Sequence, residues 1–150
     1  MKLAIGSDHA GYRLKSRLIP WLRSAAGGRH AVKDVGTDTL DSCDYPDFAA
    51  AVGRSVKRHA VSRGILICGT GIGMAIAANK VRGVRAAVAW NPETAALAAE
   101  HNDANVLCLP ARYLGTSQAQ AMLRSFLKTP FGGGRHSRRV GKIKKLDRKG

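Results

Sequence analysis

Five short apolar runs alternate with segments of helical period along this chain, and that alternation leaves little choice of architecture. The runs are Lys2–Gly6, Ala31–Gly36, Gly64–Cys68, Val84–Trp90 and Asn105–Leu109. Gly64-Ile65-Leu66-Ile67-Cys68 is the strongest strand signal, being continuous and β-branched. Leu14, Leu18 and Leu22 recur at i+4, as do Phe48, Val52 and Val56, which is the spacing of one helix face. Asp47 is the expected N-cap of the second of these helices. The strongest strand turns into a small-residue helix over Met74–Lys80. Asn91-Pro92-Glu93 opens a helix to His101, and Thr116 or Ser117 caps another that runs to Lys128. Pro20 falls inside the first helix, where a proline costs about 3 kcal/mol, so a bend or split is expected there; Gly27-Gly28 ends it. Buried strands joined by helices imply a parallel sheet covered on both faces, a three-layer α/β sandwich.

At 150 residues there is room for one domain. It is expected to occupy residues 1–134, with a break at Thr129-Pro130-Phe131-Gly132-Gly133-Gly134 and a basic extension over 135–150. The apolar runs are strand-length, whereas a membrane span needs about 20 apolar residues. At the start, Met1-Lys2-Leu3-Ala4-Ile5 meets Ser7-Asp8-His9 too early for a secretory h-region, which predicts a cytoplasmic protein. Three cysteines, Cys43, Cys68 and Cys108, cannot all pair with one another and are expected as free thiols in a reducing compartment.

Charge is the outlier. Lys and Arg number 25 against 10 Asp and Glu, a formal charge of +15, and residues 135–150 carry eight basic side chains and one acid. Such a field draws phosphorylated metabolites, nucleic acid or anionic headgroups. A basic nucleic-acid-binding protein is therefore the alternative from another functional class. Aromatic residues at 5%, with no stacking stripe and no recognised binding motif, speak against it.

In open parallel sheets, ligands sit beyond the carboxyl ends of the strands. Those ends are Ser7-Asp8-His9, Cys68-Gly69-Thr70-Gly71, Trp90-Asn91 and Pro110-Ala111-Arg112. Cys68-Gly69-Thr70-Gly71-Ile72-Gly73 joins a strand to a helix through three glycines, so successive N–H groups and the helix N-terminus form an anion nest. It is not a dinucleotide fingerprint, because Met74 stands where the third glycine belongs, and it lacks the Gly-Lys-Ser/Thr of a P-loop. A helix N-terminus lowers a nearby cysteine's pKa, which makes Cys68 a candidate base. Taken alone, the same residues also fit a tight turn around a buried structural cysteine. Asp8-His9 likewise fits an Asx-type turn, and His101-Asn102 a helix C-terminus favoured by the dipole. Arg135 and Arg139 lie one helical turn apart and can clamp one phosphate; alone they fit a solvated basic run. Together these residues supply a base, an oxyanion cradle, a histidine and a phosphate clamp. That set suits proton abstraction beside the carbonyl of a sugar phosphate.

The chain resembles the ribose-5-phosphate isomerase type B family, which includes the galactose-6-phosphate isomerase subunits. The likeness runs through Gly6-Ser7-Asp8-His9-Ala10-Gly11-Tyr12, Asp44-Tyr45-Pro46 and Ile67-Cys68-Gly69-Thr70-Gly71-Ile72-Gly73. It continues in Ala77-Ala78-Asn79-Lys80, Glu100-His101-Asn102-Asp103-Ala104-Asn105 and Gly133-Gly134-Arg135-His136-Ser137-Arg138-Arg139-Val140. The resemblance implies a Rossmann-like five-stranded parallel sheet, a homodimer or dimer of dimers, and isomerisation without metal or cofactor through a cis-enediolate. Cys68 would carry the proton between C1 and C2, and Thr70 would move protons on the oxygens. The N–H groups of Gly69, Gly71, Ile72 and Gly73 would hold the enediolate. His101, paired with Asp8, would open the furanose ring, and Asn102 would bind a hydroxyl. His9, Arg135 and Arg139 would bind phosphate, with Arg112 as a further contact. The two arginines of the extension would reach into a partner subunit's site. The implied substrates are ribose 5-phosphate and ribulose 5-phosphate. A tetrose phosphate (erythrose or erythrulose 4-phosphate) or a hexose phosphate (allose or galactose 6-phosphate) is the alternative within the class. Pro20, Pro110 and the charge beyond Arg139 depart from the family pattern.

Overall fold

The computed structural model describes residues 1–147. Arg148 and Lys149, the last charges of the expected extension, lie outside the described residues. Strands β1 (Lys2–Ser7), β2 (Ala31–Asp34), β3 (Arg63–Cys68), β4 (Ala86–Val88) and β5 (Val106–Pro110) form one sheet in the order β2-β1-β3-β5-β4. Every pairing is parallel. Helices α1 (Tyr12–Arg23), α2 (Tyr45–Lys57), α3 (Ile72–Ala78), α4 (Pro92–Asn102), α5 (Thr116–Lys128) and α6 (Arg135–Leu146) complete the α/β fold expected from the alternation.

The strands sort their side chains by parity. Leu3, Ile5, Ile65, Ile67, Leu107 and Leu109 face the layer that holds Leu18 of α1 and Phe126 of α5. Ala4, Leu66, Cys68, Val106 and Cys108 face the opposite layer, with Val52 of α2 and Met74 of α3. Each fully buried Leu or Ile contributes roughly 1.5–3 kcal/mol, so two such layers suffice to hold the sheet. The chain runs from β1 outward to β2 and then crosses back to β3 on the other side of β1. That reversal opens a crevice at the carboxyl ends of β1 and β3.

The elements depart from sequence expectation at several ends. Pro20 does not split α1, which continues to Arg23 with Ser24 as its C-cap, before Gly27-Gly28 is reached. The proline removes one hydrogen bond to the carbonyl of Ser16, and both residues lie on the exposed side, where water can satisfy that oxygen. Asp44, not Asp47, occupies the N-cap of α2, and Pro46 sits in the first turn, where its missing N–H costs nothing. Gly115 precedes α5 in the cap position, its N–H donating to Gln118 Oε1 at 2.8 Å. α3 begins two residues early, at Ile72, and stops at Ala78. Strand β4 is three residues long, and on its side away from β5 a side chain takes the place of a further strand. Asn79 Oδ1 accepts from Ala86 N–H at 2.8 Å, and Asn79 Nδ2 donates to the Ala86 carbonyl at 2.9 Å. The basic extension forms α6, which packs on α4 and buries Val140. Among the described residues, no helix is long and apolar enough to cross a membrane.

Candidate active site

Cys68 ends β3 at the crevice, nearly buried, with its Sγ accepting a hydrogen bond from Gly71 N–H at 3.1 Å. That geometry requires glycine at 71, whose φ is +75°. Thr70 Oγ1 accepts from Ile72 N–H at 3.3 Å. The remaining amides of the turn lead into α3. Gly69 lets the Arg112 guanidinium lie against the turn: a Cβ there would stand 3.0 Å from Arg112 Cζ. Arg112 is held from its own side too, its N–H donating to the Gly69 carbonyl at 3.1 Å. Pro110 ends β5 buried opposite Cys68, so this departure from the family pattern still delivers Arg112 to the crevice.

Asp8 and His9 leave the end of β1 beside this turn. The Asp8 carboxylate is buried and accepts from Gly11 N–H at 3.0 Å. Gly11 packs so closely on the Ile67 carbonyl that no side chain fits there. His9 Nδ1 accepts from Cys43 N–H at 3.2 Å. Asp8, His9, Cys68, Gly69, Thr70 and Arg112 line one cavity of about 500 Å³, enough for a small phosphorylated sugar. Ile72 and Gly73 line it as well, and Gly71 fixes the loop behind them.

Tyr45, Ala10 and Ile76 line the cavity without having been expected as site members, and Tyr45 is the largest of them. It opens α2, and its ring lies over Gly73, where a Cβ would come within 2.6 Å of Tyr45 Cζ. The signal was the Asp44-Tyr45-Pro46 motif at a helix start, a place that aims an aromatic at the neighbouring strand end. Ile72 and Ile76 form the outer rim on α3 and are 56% and 60% exposed.

His101, Asn102, Arg135 and Arg139 stand apart from this cavity within one chain. His101, in the last turn of α4, stacks on His136 of α6 with ring centroids 4.1 Å apart and planes 16° from parallel. Arg135 and Arg139 lie exposed on α6 around that stack. Asn102 lines a different cavity, with Asn79, Arg85, Ile143 and Leu146. Loss of hydration pushes His136 below the usual histidine range, and the positive neighbours His101, Arg135 and Arg139 add to this against Glu100. Asp8 and His101 therefore do not meet in a single chain; the cavity holds one half of the expected set and α4–α6 the other.

The other two thiols differ in surroundings. Cys108, on the same face of the sheet as Cys68, is fully buried. Burial holds its thiol well above the usual cysteine range, with the proximity of Cys68 adding to the effect. Cys43 is half-buried in the loop before α2.

Residues 3–143 match the family model described as Ribose/Galactose Isomerase. A probable ribose-5-phosphate isomerase B of Mycoplasma pneumoniae is 46% identical over 140 residues, covering 93% of this chain and 90% of that protein. The solved structure of Clostridium thermocellum ribose-5-phosphate isomerase B superposes with a TM-score of 0.95 at 48% identity, covering 99% of both chains. The ribose-5-phosphate isomerase B of Mycoplasma genitalium, solved with bound ribulose-5-phosphate, superposes with a TM-score of 0.93 at 43% identity, covering 99% of this chain and 97% of that one.

Proposed function

The chain belongs to the ribose/galactose isomerase family, and from that premise we propose that it interconverts ribose 5-phosphate and ribulose 5-phosphate through a cis-enediolate, with Cys68 as the base. The observation that carries this reading is the pairing of the Cys68 sulfur with the glycine turn at one end of the cavity. In the aldose-to-ketose direction, Cys68 removes the proton at C2 and returns it to C1. The Thr70 hydroxyl relays the proton between the two oxygens. Negative charge develops on the enediolate oxygens in the transition state. Amides fixed beforehand stabilise that charge more than the neutral substrate, which is where rate is gained. No cofactor or metal has a step in this sequence. Arg112, against the Gly69 turn, and His9, at the end of β1, would take the phosphate.

The site is completed by a second copy of the chain. Ile72 and Ile76 are large, apolar, one turn apart and more than half exposed at the cavity rim. A homodimer covering that rim would bring the partner's α4–α6 half to the cavity. His101 would then open the ring opposite Asp8, Asn102 would bind a hydroxyl, and Arg135 and Arg139 would close on the phosphate. The three free thiols suit a reducing cytoplasm.

The test is proton NMR of the purified protein with ribose 5-phosphate in heavy water, without added metal, beside a Cys68→Ala control. Ribulose 5-phosphate and deuterium at C2 of recovered aldose are expected, both lost in the control. Absence of conversion by the wild-type protein would overturn the pentose assignment. Conversion of a tetrose or hexose phosphate instead would move the substrate and keep the chemistry.

A further inference from the structure

The loop between β2 and α2 makes one contact whose direction is fixed. Its first half is anchored: Thr37 N–H donates to the Ser7 carbonyl at 3.0 Å, and Lys15 Nζ donates to the Thr37 carbonyl at 2.6 Å. Lys15 is itself buried and paired with Asp34 at 2.7 Å. The loop then steps forward through its own side chains, Thr39 N–H to Thr37 Oγ1 at 3.4 Å and Asp41 N–H to Thr39 Oγ1 at 3.2 Å. It ends with Cys43 N–H on His9 Nδ1 at 3.2 Å. A backbone amide can only donate, so Nδ1 must offer its lone pair. A neutral imidazole carries one proton, which then sits on Nε2.

We propose that the backbone amide of Cys43 selects the tautomer of His9, so that His9 meets the substrate phosphate as an Nε2–H donor and not as a base. The proposal rests on the isomerase reading for the identity of the ligand. Its chemistry follows from the ring: with Nδ1 occupied by the loop and a proton on Nε2, the held imidazole has no free lone pair with which to take a proton from the sugar. Phosphate oxygens only accept, so a donor is the matching partner. Cys43 is thereby a positioning residue through its main chain. Its thiol, 3.8 Å from Nδ1, is not required. The side chain at 43 is free to vary, but proline, which lacks the N–H, is excluded.

Two-bond proton–nitrogen correlations on protein labelled with ¹⁵N-histidine, at a pH where the ring is neutral, read the tautomer directly. His9→Gln assigns the signal. The wild-type protein and Cys43→Ala should both display His9 as Nε2–H. Cys43→Pro should lose that preference and raise KM about twofold to threefold while kcat changes less, the cost of a ring that holds the donor tautomer only part of the time. Should Cys43→Pro fail to fold, two variants at His9 decide. Glutamine places its amide N–H near the Nε2 position and should stay within about threefold of the wild-type KM, whereas asparagine falls short and should raise it about tenfold or more. An Nδ1–H or mixed pattern in the wild-type protein, or the reverse order of the two variants, overturns the proposal. Inorganic phosphate, added as the probe, should shift the His9 Nε2–H resonance, and no shift would overturn the phosphate role. Those spectra do not depend on turnover. An Nε2–H ring that responds to phosphate in a protein inactive on every sugar phosphate would sink the isomerase reading and leave the tautomer assignment standing.

Discussion

Replacing Gly71 by alanine strikes the turn and the sulfur at once. At φ +75° an L-residue costs about 1–2 kcal/mol. The added Cβ would also meet the carbonyl carbon of Leu109 at 3.3 Å, Val88 Cγ1 at 3.4 Å and the carbonyl carbon of Cys108 at 3.5 Å. Two of these atoms are backbone of the buried strand β5 and have little room to yield, which adds roughly 1 kcal/mol of overpacking. The expected destabilisation is about 2–3 kcal/mol. With a urea m-value of about 1.5 kcal/mol per molar for a chain of this size, the midpoint should fall by roughly 1.3–2 M at fixed protein concentration. The chain can escape part of this strain by rotating residue 71 to negative φ. Its N–H then swings off Cys68 Sγ, and kcat falls while the midpoint recovers. Gly83→Ala is the control for strain alone: φ is +85° there and no atom lies within 4 Å of the new Cβ. That control should lose about 1–2 kcal/mol and keep its kcat. A Gly71→Ala variant matching the wild-type protein in both urea midpoint and kcat would refute the assignment of that turn.

Two further outcomes follow from the fold. Lys15→Met strands the Asp34 carboxylate and the Thr37 carbonyl. Because Asp34 is about a third exposed and can turn to water, the loss should be about 2–3 kcal/mol and not the full cost of an isolated buried charge, read as a fall in urea midpoint with unchanged m. The second outcome concerns acid. His136 and His30 both titrate below the ordinary histidine value in the folded chain, His30 through burial first and the N-terminal charge second. The unfolded chain therefore binds protons that the folded chain refuses. Their contribution is fully present above about pH 6.5 and is lost as pH falls through the folded values. His136→Gln should flatten that part of the stability profile, and an unchanged profile would contradict the origin given for it.

The α/β class was legible because β3 and β5 are continuous apolar runs and α1 and α2 keep strict i+4 spacing. What failed was local. Strand β4 reads as Val84–Trp90 because Val84, Ala86, Ala87, Val88 and Ala89 are all apolar, yet the paired strand is Ala86–Val88, and just before it Arg85 N–H donates to the Asn105 side chain instead of continuing the ladder. Amide side chains acting as ladder partners leave no periodic trace. Cys68 and the glycine turn could be read because a strand-to-helix junction is a local pattern. Tyr45 was marked by its motif at a helix start but not as a site member, because its place over Gly73 depends on how α2 packs beside α3. The separation of His101 from Asp8 within one chain is likewise a product of topology, which puts α4 and α6 beyond the reach of the β1–β3 crevice.

The hydrogen bonds of Asn79 to Ala86 reach further than the length of one strand. An open sheet presents a row of unpaired amides and carbonyls at each margin, and a neighbouring molecule can add to that row strand by strand. Asn79 gives Ala86 both bonds that an incoming strand would give, so the β4 margin is already satisfied at that residue. At the opposite margin, the Arg23 guanidinium takes the Val32 carbonyl at 2.9 Å and leaves a positive charge facing any approaching chain. At each margin one outward-facing residue is thus engaged by a side chain, Ala86 by Asn79 and Val32 by Arg23. Edge-to-edge growth into fibres is discouraged at those two residues, in a sheet that helices cover on both faces but not at its margins.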